Sequence, residues 1–411
     1  MVADKRLQYI DAIKGISMIM IVLCHLLAPC IGRVILMHLE CIFLACLFFF
    51  AGFSYRTGGM HASEKIRIKS AALFRPFLRY ALILWLIASV YLAAAGKGSA
   101  KAAFMCLRNF FAGGLWNPVL MSIFHLRYYS LDRDYFIMTD LWIFPAMIFA
   151  CILFYLTADR VLRSFKKALI AAAVFFLVTA LFCGFGISLP YNLQTAPYWA
   201  AFMLLGAFAG RRRLFERIKK EEKWMPGIVS LGLGITVAMI KQPSADLYRG
   251  SFGGNEVLSM LLCIAAALPA IWGLGQLCSL AEESGSGNAG LKWMGQNYLN
   301  VFAVYRTAAW LIGLITGISA IYDKSVSSSD IVKSLLISIA VLVLCMAPGT
   351  LREINSKRKR RARITAGRRA KGESLPEQER PDDDKIYGIE RPLAERRQGK
   401  ERFVYKDNHK E

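Results

Sequence analysis

The chain has 411 residues, of which 56% are hydrophobic and 19% charged, and its formal net charge is +22. Average soluble domains have about 45–50% apolar and about 25% charged residues, so this composition excludes a soluble globular enzyme, a collagen-like chain and a largely disordered protein. The charge is unevenly placed: residues 352–411 alone hold 19 Lys/Arg and 12 Asp/Glu. The first 351 residues are correspondingly poor in charge and contain several apolar runs long enough to cross a bilayer. Lipid leaves the backbone only helices or closed barrels, and these runs lack the alternation of barrel strands. The expected fold is an all-α, polytopic transmembrane bundle over residues 1–351, followed by a basic tail, 352–411, with too few apolar residues to fold. Cytoplasmic loops of membrane proteins collect Lys and Arg, so the positive charge points to membrane lipids as partners and not to nucleic acid.

A span needs about 20 mainly apolar residues, and ten candidates follow in chain order: 10–31, 34–54, 79–96, 139–157, 168–185, 196–210, 226–240, 257–280, 295–315 and 332–350. The first run is too long for the core of a signal peptide, carries Asp11 and Lys14, and lacks a small-x-small cleavage site. It is read as an uncleaved span. With the N-terminus inside, the inside loops are 55–78, 158–167, 211–225, 281–294 and the tail. These carry Lys65, Arg67, Lys69 and Arg75, then Arg160, Arg163, Lys166 and Lys167, then Arg211 to Arg213, Lys219 and Lys220. About ten spans with both termini cytoplasmic satisfy the positive-inside rule. Between spans three and four, Ala102–Leu126 is semi-apolar and is interrupted by Gly113, Gly114 and Pro118. A full crossing there would put every later basic loop outside, so a re-entrant or surface-lying segment is expected. In the tail, Lys357-Arg358-Lys359-Arg360-Arg361 suits either contact with anionic headgroups or simple topological anchoring. Ten cysteines lie mostly inside apolar runs, with no C-x-x-C pair and no zinc spacing. They read as small hydrophobes, and no metal site is expected. No internal repeat is visible.

The first span holds the most informative pattern. Charged and titratable groups inside a span are costly and are functional candidates by default. Asp11, Lys14, Met18, Val22 and His25 fall on one stripe. Eleven residues at about 100° each leave Lys14 and His25 within roughly 20° of one another, about 16 Å apart along the axis. The stripe sets a charged pair at the cytoplasmic mouth and an imidazole deep in the membrane. An anionic cofactor can dock at the first, and the second can take a proton from a hydroxyl arriving from outside, as neutral imidazole commonly does. The competing reading is a histidine satisfied by a neighbouring helix and a lysine that snorkels.

These residues also carry a resemblance. Arg6, Tyr9, Asp11, Lys14, Gly15 and His25 resemble the opening of the integral membrane acyltransferase-3 family, including its basic residue, ten residues, His spacing. Leu47-Phe48-Phe49-Phe50-Ala51-Gly52-Phe53, Asp140-Leu141-Trp142-Ile143-Phe144-Pro145, the Tyr198–Gly210 stretch and Gly295-Gln296-Asn297-Tyr298-Leu299 are similar to later blocks of that family, in the same order. The resemblance covers about residues 5–350. It implies transfer of an acyl group, usually acetyl, from cytoplasmic acyl-CoA to a hydroxyl of an outer-face glycan or lipid-linked sugar, in a multi-pass protein of the cell membrane. It implies His25 as the catalytic residue, with Lys14 and Asp11 beside it in the motif. It also implies a cationic set for the CoA phosphates in which Lys14 is joined by Arg75, with Lys69 and Arg67 as weaker choices. Acetyl-CoA is then a donor substrate, and no cofactor is permanently bound. The chain departs from the family pattern at Ala51, Arg79, Tyr298 and Tyr305, the last standing near where a second histidine is common.

Arg306 lies mid-span in 295–315, where an unpaired guanidinium is expensive. Glu40 and Asp140 open spans from the outer side and can pair with it, either as an acceptor-sugar site or as a structural ion pair. Trp142 can stack on a sugar or belong to an interfacial belt. His125 has no partner pattern. Cys24 is adjacent to His25 in sequence but points about 100° away around the helix, which disfavours it as an acyl-carrying nucleophile. A transporter or flippase for a lipid-linked sugar accounts for the spans and the intramembrane charge, and a sensor on an inactive acyltransferase scaffold is a third reading. Neither accounts for the cytoplasmic cations together with the ordered blocks as well as a membrane O-acyltransferase does.

Overall fold

The computed structural model describes residues 8–31, 33–56, 60–94, 141–187, 189–215, 224–240, 252, 255–284, 289–316, 332, 335–344, 351 and 355. Among them the regular structure is entirely helical. Gln8–Ile31 forms α1, Arg33–Phe53 α2, Ala62–Ala94 α3, Ile143–Val161 α4 and Phe165–Gly184 α5. A 3-10 turn, Pro190–Thr195, leads into α6, Ala196–Arg211, and is followed by α7, Trp224–Ile240, and α8, Glu256–Glu283. The short α9, Ala289–Gln296, precedes α10, Tyr298–Thr316. A further apolar helix, Leu335–Leu344, is α11. Contacts gather Met1–Thr350 into one unit, which holds all described residues but Leu351 and Asn355.

Two kinds of apolar helix make this bundle. In α2 every side chain from Leu39 to Phe53 is buried apart from the half-buried Ala51. A helix apolar on all sides is a core helix, and α2 packs against α1, α6, α7 and α8. By contrast α5 exposes Leu169, Ile170, Val174, Leu177 and Leu181, and α7 exposes Ile228, Val229 and Leu233. Contiguous apolar surface of this extent is a membrane face. Among the described residues, five helices are long and apolar enough to cross a membrane: Gln8–Leu26, Ala62–Ile87, Ile143–Val161, Phe165–Gly184 and Glu256–Glu282. Leu39–Phe53, Trp224–Ile240 and Leu335–Leu344 are shorter apolar helices. The chain is thus an all-α, multi-pass bundle. The expected re-entrant segment within 97–138 lies outside the described residues.

Two expected loops are helical instead. The inside loop 55–78 is occupied from Ala62 onward by α3. Its lysines and arginines suggest a loop by charge, yet they are good helix formers, and no glycine occurs between Met60 and Ala94. The loop 281–294 likewise contains the end of α8 and most of α9. The span expected at 295–315 does not run straight. Asn297 separates α9 from α10: its N–H reaches back to Met294 O at 3.0 Å, and its carbonyl accepts from Asn300 N at 2.9 Å.

The hub is closed by backbone contact between α2 and α6. Gly206 and Gly210 form a small-xxx-small pair, the device that lets membrane helices approach closely. A Cβ on Gly206 would stand 1.9 Å from Phe49 O, and one on Gly52 2.0 Å from Met203 O. Beside this crossing Phe48 stacks on Trp199, with ring centroids 4.6 Å apart. No rotamer change relieves a clash with backbone, so Gly206→Val is expected to destabilise the detergent-solubilised protein by about 1–3 kcal/mol. A thermal unfolding midpoint equal to that of the unsubstituted protein would contradict this close approach.

Candidate active site

The first two turns of α1 are clasped by α9. A Cβ on Gly15 would lie 2.1 Å from Leu291 O, and one on Gly295 1.7 Å from Asp11 O, so the two backbones touch at both glycines. Around this joint Gln296 Nε2 donates to Asp11 Oδ2 at 3.0 Å and Lys292 Nζ donates to Gln8 Oε1 at 2.6 Å. The Tyr9 backbone N–H donates to the Glu282 carboxylate at the end of α8. The opening motif and the Gly-Gln-Asn-Tyr-Leu block, some 280 residues apart in sequence, thus form one structure. Asp11 is buried here, as a carboxylate in a span must be if it is held by donors.

One turn further along α1, Lys14 Nζ lies 5.7 Å from the centroid of the Tyr298 ring, within cation–π range. The Tyr298 hydroxyl points at Met147 Sδ of α4, 3.7 Å away. Tyr80 of α3 donates to Asn300 Oδ1 of α10 at 2.9 Å. The start of α10 is thus tied to α1 and α4 through Tyr298 and to α3 through Asn300.

The second centre is His25. Its Nδ1 lies 2.8 Å from Ile21 O. A carbonyl only accepts, so Nδ1 carries the hydrogen, and in the neutral ring Nε2 carries the lone pair. Nε2 faces Glu40 Oε1 of α2 at 3.4 Å, with both side chains largely buried. The fully buried Tyr305 of α10 lies against the imidazole, centroids 5.6 Å apart. The stripe expected along α1 therefore carries two separate centres: Asp11 and Lys14 with α9 and Tyr298, and His25 with Glu40 and Tyr305. Sequence spacing suggested Arg306 and Asp140 as companions of Glu40. Asp140 and the side chain of Arg306 lie outside the described residues, as does His125. Trp142 is buried in the short turn that opens α4.

On α3 the cations divide by face. Leu73, Phe77, Ala81 and Leu84 form its buried stripe, and Lys65 and Lys69 continue that line toward the helix start. Lys65 is buried, with its Nζ 3.1 Å from Tyr55 Oη and 3.5 Å from Asp159 Oδ2. Tyr55 in turn donates to Asp159 Oδ1 at 2.5 Å. Burial, reinforced by the carboxylate, pushes the Tyr55 hydroxyl above its ordinary range and keeps it a donor. This cluster ties the start of α3 to the ends of α2 and α4, and spacing gave no signal for it, because its members come from three segments. Lys69 is exposed yet lies close enough to Cys151 of α4 to act on it electrostatically, and Cys151 also neighbours Tyr298. Arg75 is exposed on another face of α3, with Phe74 and Leu78 exposed beside it.

The family's sequence model, described as an acyltransferase domain, matches residues 7–350. The chain belongs to the acyltransferase-3 family. No curated protein and no solved structure matches it. Family membership and the helical bundle together make it a multi-pass membrane acyltransferase. The match takes in both α1 centres, the α9 joint and the cations of α3 in one domain.

Asp159→Ala in this acyltransferase deprives Lys65 and Tyr55 of their shared acceptor. A loss of about 1–3 kcal/mol is expected, with Asp159→Ala/Tyr55→Phe costing less than the sum of the single changes because the residues form one network. Thermal unfolding of the three variants in detergent checks this, and strictly additive losses would deny the network.

Proposed function

We propose that this acyltransferase moves an acyl group, acetyl in the first instance, from cytoplasmic acyl-CoA to a hydroxyl of an extracytoplasmic glycan or lipid-linked sugar, forming an O-ester. His25 Nε2 is the general base. The observation that carries the reading is His25 Nδ1 at 2.8 Å from Ile21 O, which in the neutral ring places the lone pair of this buried imidazole on Nε2.

Direct transfer requires the thioester to be held near the hydroxyl, a base for the hydroxyl proton, and stabilisation of the developing oxyanion. The hydroxyl oxygen bonds to the thioester carbon, the C–S bond breaks, and the proton passes through Nε2 to the departing CoA thiolate. No resident cofactor or metal enters this scheme. At the other end of the stripe Lys14 receives the anionic donor, with Asp11 holding the α1–α9 joint that sets its position. Lys69, exposed on the line of α3 between the buried Lys65 and Leu73, is a second cation for the CoA phosphates. Arg75, on another face of α3, is assigned to the outer reach of the same anion or to headgroups. Trp142, Asp140, Arg306 and Glu40 are the acceptor-side candidates. In this reading both termini are cytoplasmic, the protein sits in the cell membrane, and the basic tail lies against anionic lipid.

The test uses inside-out membrane vesicles supplied with acetyl-labelled CoA. Label is expected on carbohydrate, His25→Ala is expected to reduce it by a factor of about 10²–10⁴, and Lys14→Ala is expected to raise KM for acetyl-CoA about tenfold. Sugar movement across the membrane with no covalent label, or full labelling by His25→Ala, would sink the reading in favour of a transporter or a different base.

A further inference from the structure

We infer that the turn between α4 and α5, together with the end of α6, binds the phosphate of an anionic glycerophospholipid whose acyl chains lie along α5. This rests on the helical membrane fold and not on the reaction proposed above.

Between Leu141 and Phe215 the sequence holds seven cations, Arg160, Arg163, Lys166, Lys167 and Arg211 to Arg213, and one carboxylate, Asp159. All seven cations are exposed. Asp159 is engaged by Lys65 and Tyr55, so this end of α4, α5 and α6 carries a large local excess of positive charge. Topological charge accounts for cations at one end of a bundle but not for the way these are held. Arg211 Nη1 donates to Leu162 O at 2.6 Å, which fastens the turn after α4 to the end of α6. Phe165, the first residue of α5, meets the Phe208 ring of α6 with centroids 5.0 Å apart. The Arg212 guanidinium lies over the same Phe208 ring, 5.6 Å from its centroid, within cation–π range. Two segments distant in the chain are thus held as one cationic surface.

Two local costs point to an anion there. Arg213 takes a φ of 49°, the left-handed conformation in which helices commonly end on glycine, so a third arginine stands where the backbone favours a residue without a side chain. Lys166 and Lys167 occupy the first turn of α5, which has no acidic residue. The positive end of the helix dipole repels them and attracts an anion, and a phosphate beside that turn relieves both lysines.

The neighbouring surface is apolar. From Lys166 an exposed line runs along α5 through Ile170, Val174, Leu177 and Leu181, at the spacing that keeps side chains on one helix face. The 20 residues of α5 extend about 30 Å, the depth of a hydrocarbon core. A cationic surface at the head of an exposed aliphatic line matches a phosphate joined to hydrocarbon chains. A soluble polyanion uses the first feature alone, and a zwitterionic lipid brings its own cation into the cluster. An anionic lipid satisfies both.

The experiment follows thermal unfolding of the full-length protein in detergent over a range of added phosphatidylglycerol, phosphatidylcholine or pyrophosphate. Phosphatidylglycerol is expected to raise the midpoint by about 3 °C or more through binding to the folded state, and phosphatidylcholine to raise it by less than half as much. Lys166→Gln/Arg212→Gln removes one cation from each segment and is expected to weaken the apparent affinity for phosphatidylglycerol about tenfold or more. Arg67→Gln/Lys69→Gln removes the same charge from α3 and is expected to leave that affinity within about twofold. Affinity is read from the dependence on lipid concentration, so it does not depend on where each variant's lipid-free midpoint lies. Equal stabilisation by the two lipids would reduce this surface to ordinary lipid contact and overturn the inference. So would an equal effect of the two double variants, which would mean diffuse charge. Stabilisation by pyrophosphate that Lys166→Gln/Arg212→Gln abolishes would overturn it in favour of a soluble polyanion.

Discussion

Everything at the N-terminal end of α1 depends on two backbones touching. Gly15 and Gly295 have no Cβ, and any other residue at Gly295 would drive a carbon to 1.7 Å from the Asp11 carbonyl. Helices in lipid gain no hydrophobic drive from meeting one another, so close contact and interhelical hydrogen bonds must hold them. The α1–α9 joint uses both: the glycines bring the backbones together, and at that separation Gln296 reaches Asp11 and Lys292 reaches Gln8. The break at Asn297 then turns α10 so that Tyr298 meets Lys14 and, two turns on, Tyr305 meets His25. One contact therefore sets the register of both centres.

The separation of those centres is itself a physical statement. A CoA donor carries several negative charges and does not enter a bilayer, whereas the acyl group and the thin pantetheine arm are long enough to reach inward. In the proposed reaction a cation near the helix start and an imidazole about 16 Å further along divide the work accordingly: charge is met where water is near, and the proton is transferred where water is scarce. The family membership supplies acyl transfer, and the geometry along α1 accounts for why one helix carries the opposed requirements. The Lys14 ammonium itself faces an aromatic ring contributed by α10.

Much of this was legible in the sequence, for identifiable reasons. The alignment of Lys14 with His25 is a property of helical period alone. The glycine pair in Gly206-Ala207-Phe208-Ala209-Gly210 is a local pattern with a known packing consequence, and the structure uses it against Phe49 and Phe53. What could not be read is where partners come from another segment. Nothing near His25 names Glu40, because fifteen residues and a turn between antiparallel helices separate them. Asp159, lying in the last turn of an apolar helix, gave no sign of its tie to Tyr55 and Lys65. The helical nature of 62–78 was hidden by charge density, which marks topology and says little about backbone conformation.

The division of the α3 cations follows from the same point. A lysine on the packed line of a helix must find partners or an opening. Lys65 finds Tyr55 and Asp159 and becomes part of the scaffold. Four residues on, Lys69 follows the same line but stays exposed. Leu73 and Phe77, one and two turns further, are buried again. In the proposed function this exposed turn, between a salt-bridged one and an aliphatic one, is the place along α3 where the polyanionic donor meets a cation without displacing the packing. That distinguishes Lys69 from Arg75, which meets solvent or headgroups whether or not a donor is present. Positive charge alone marks both residues equally; the neighbours above and below each one separate their roles.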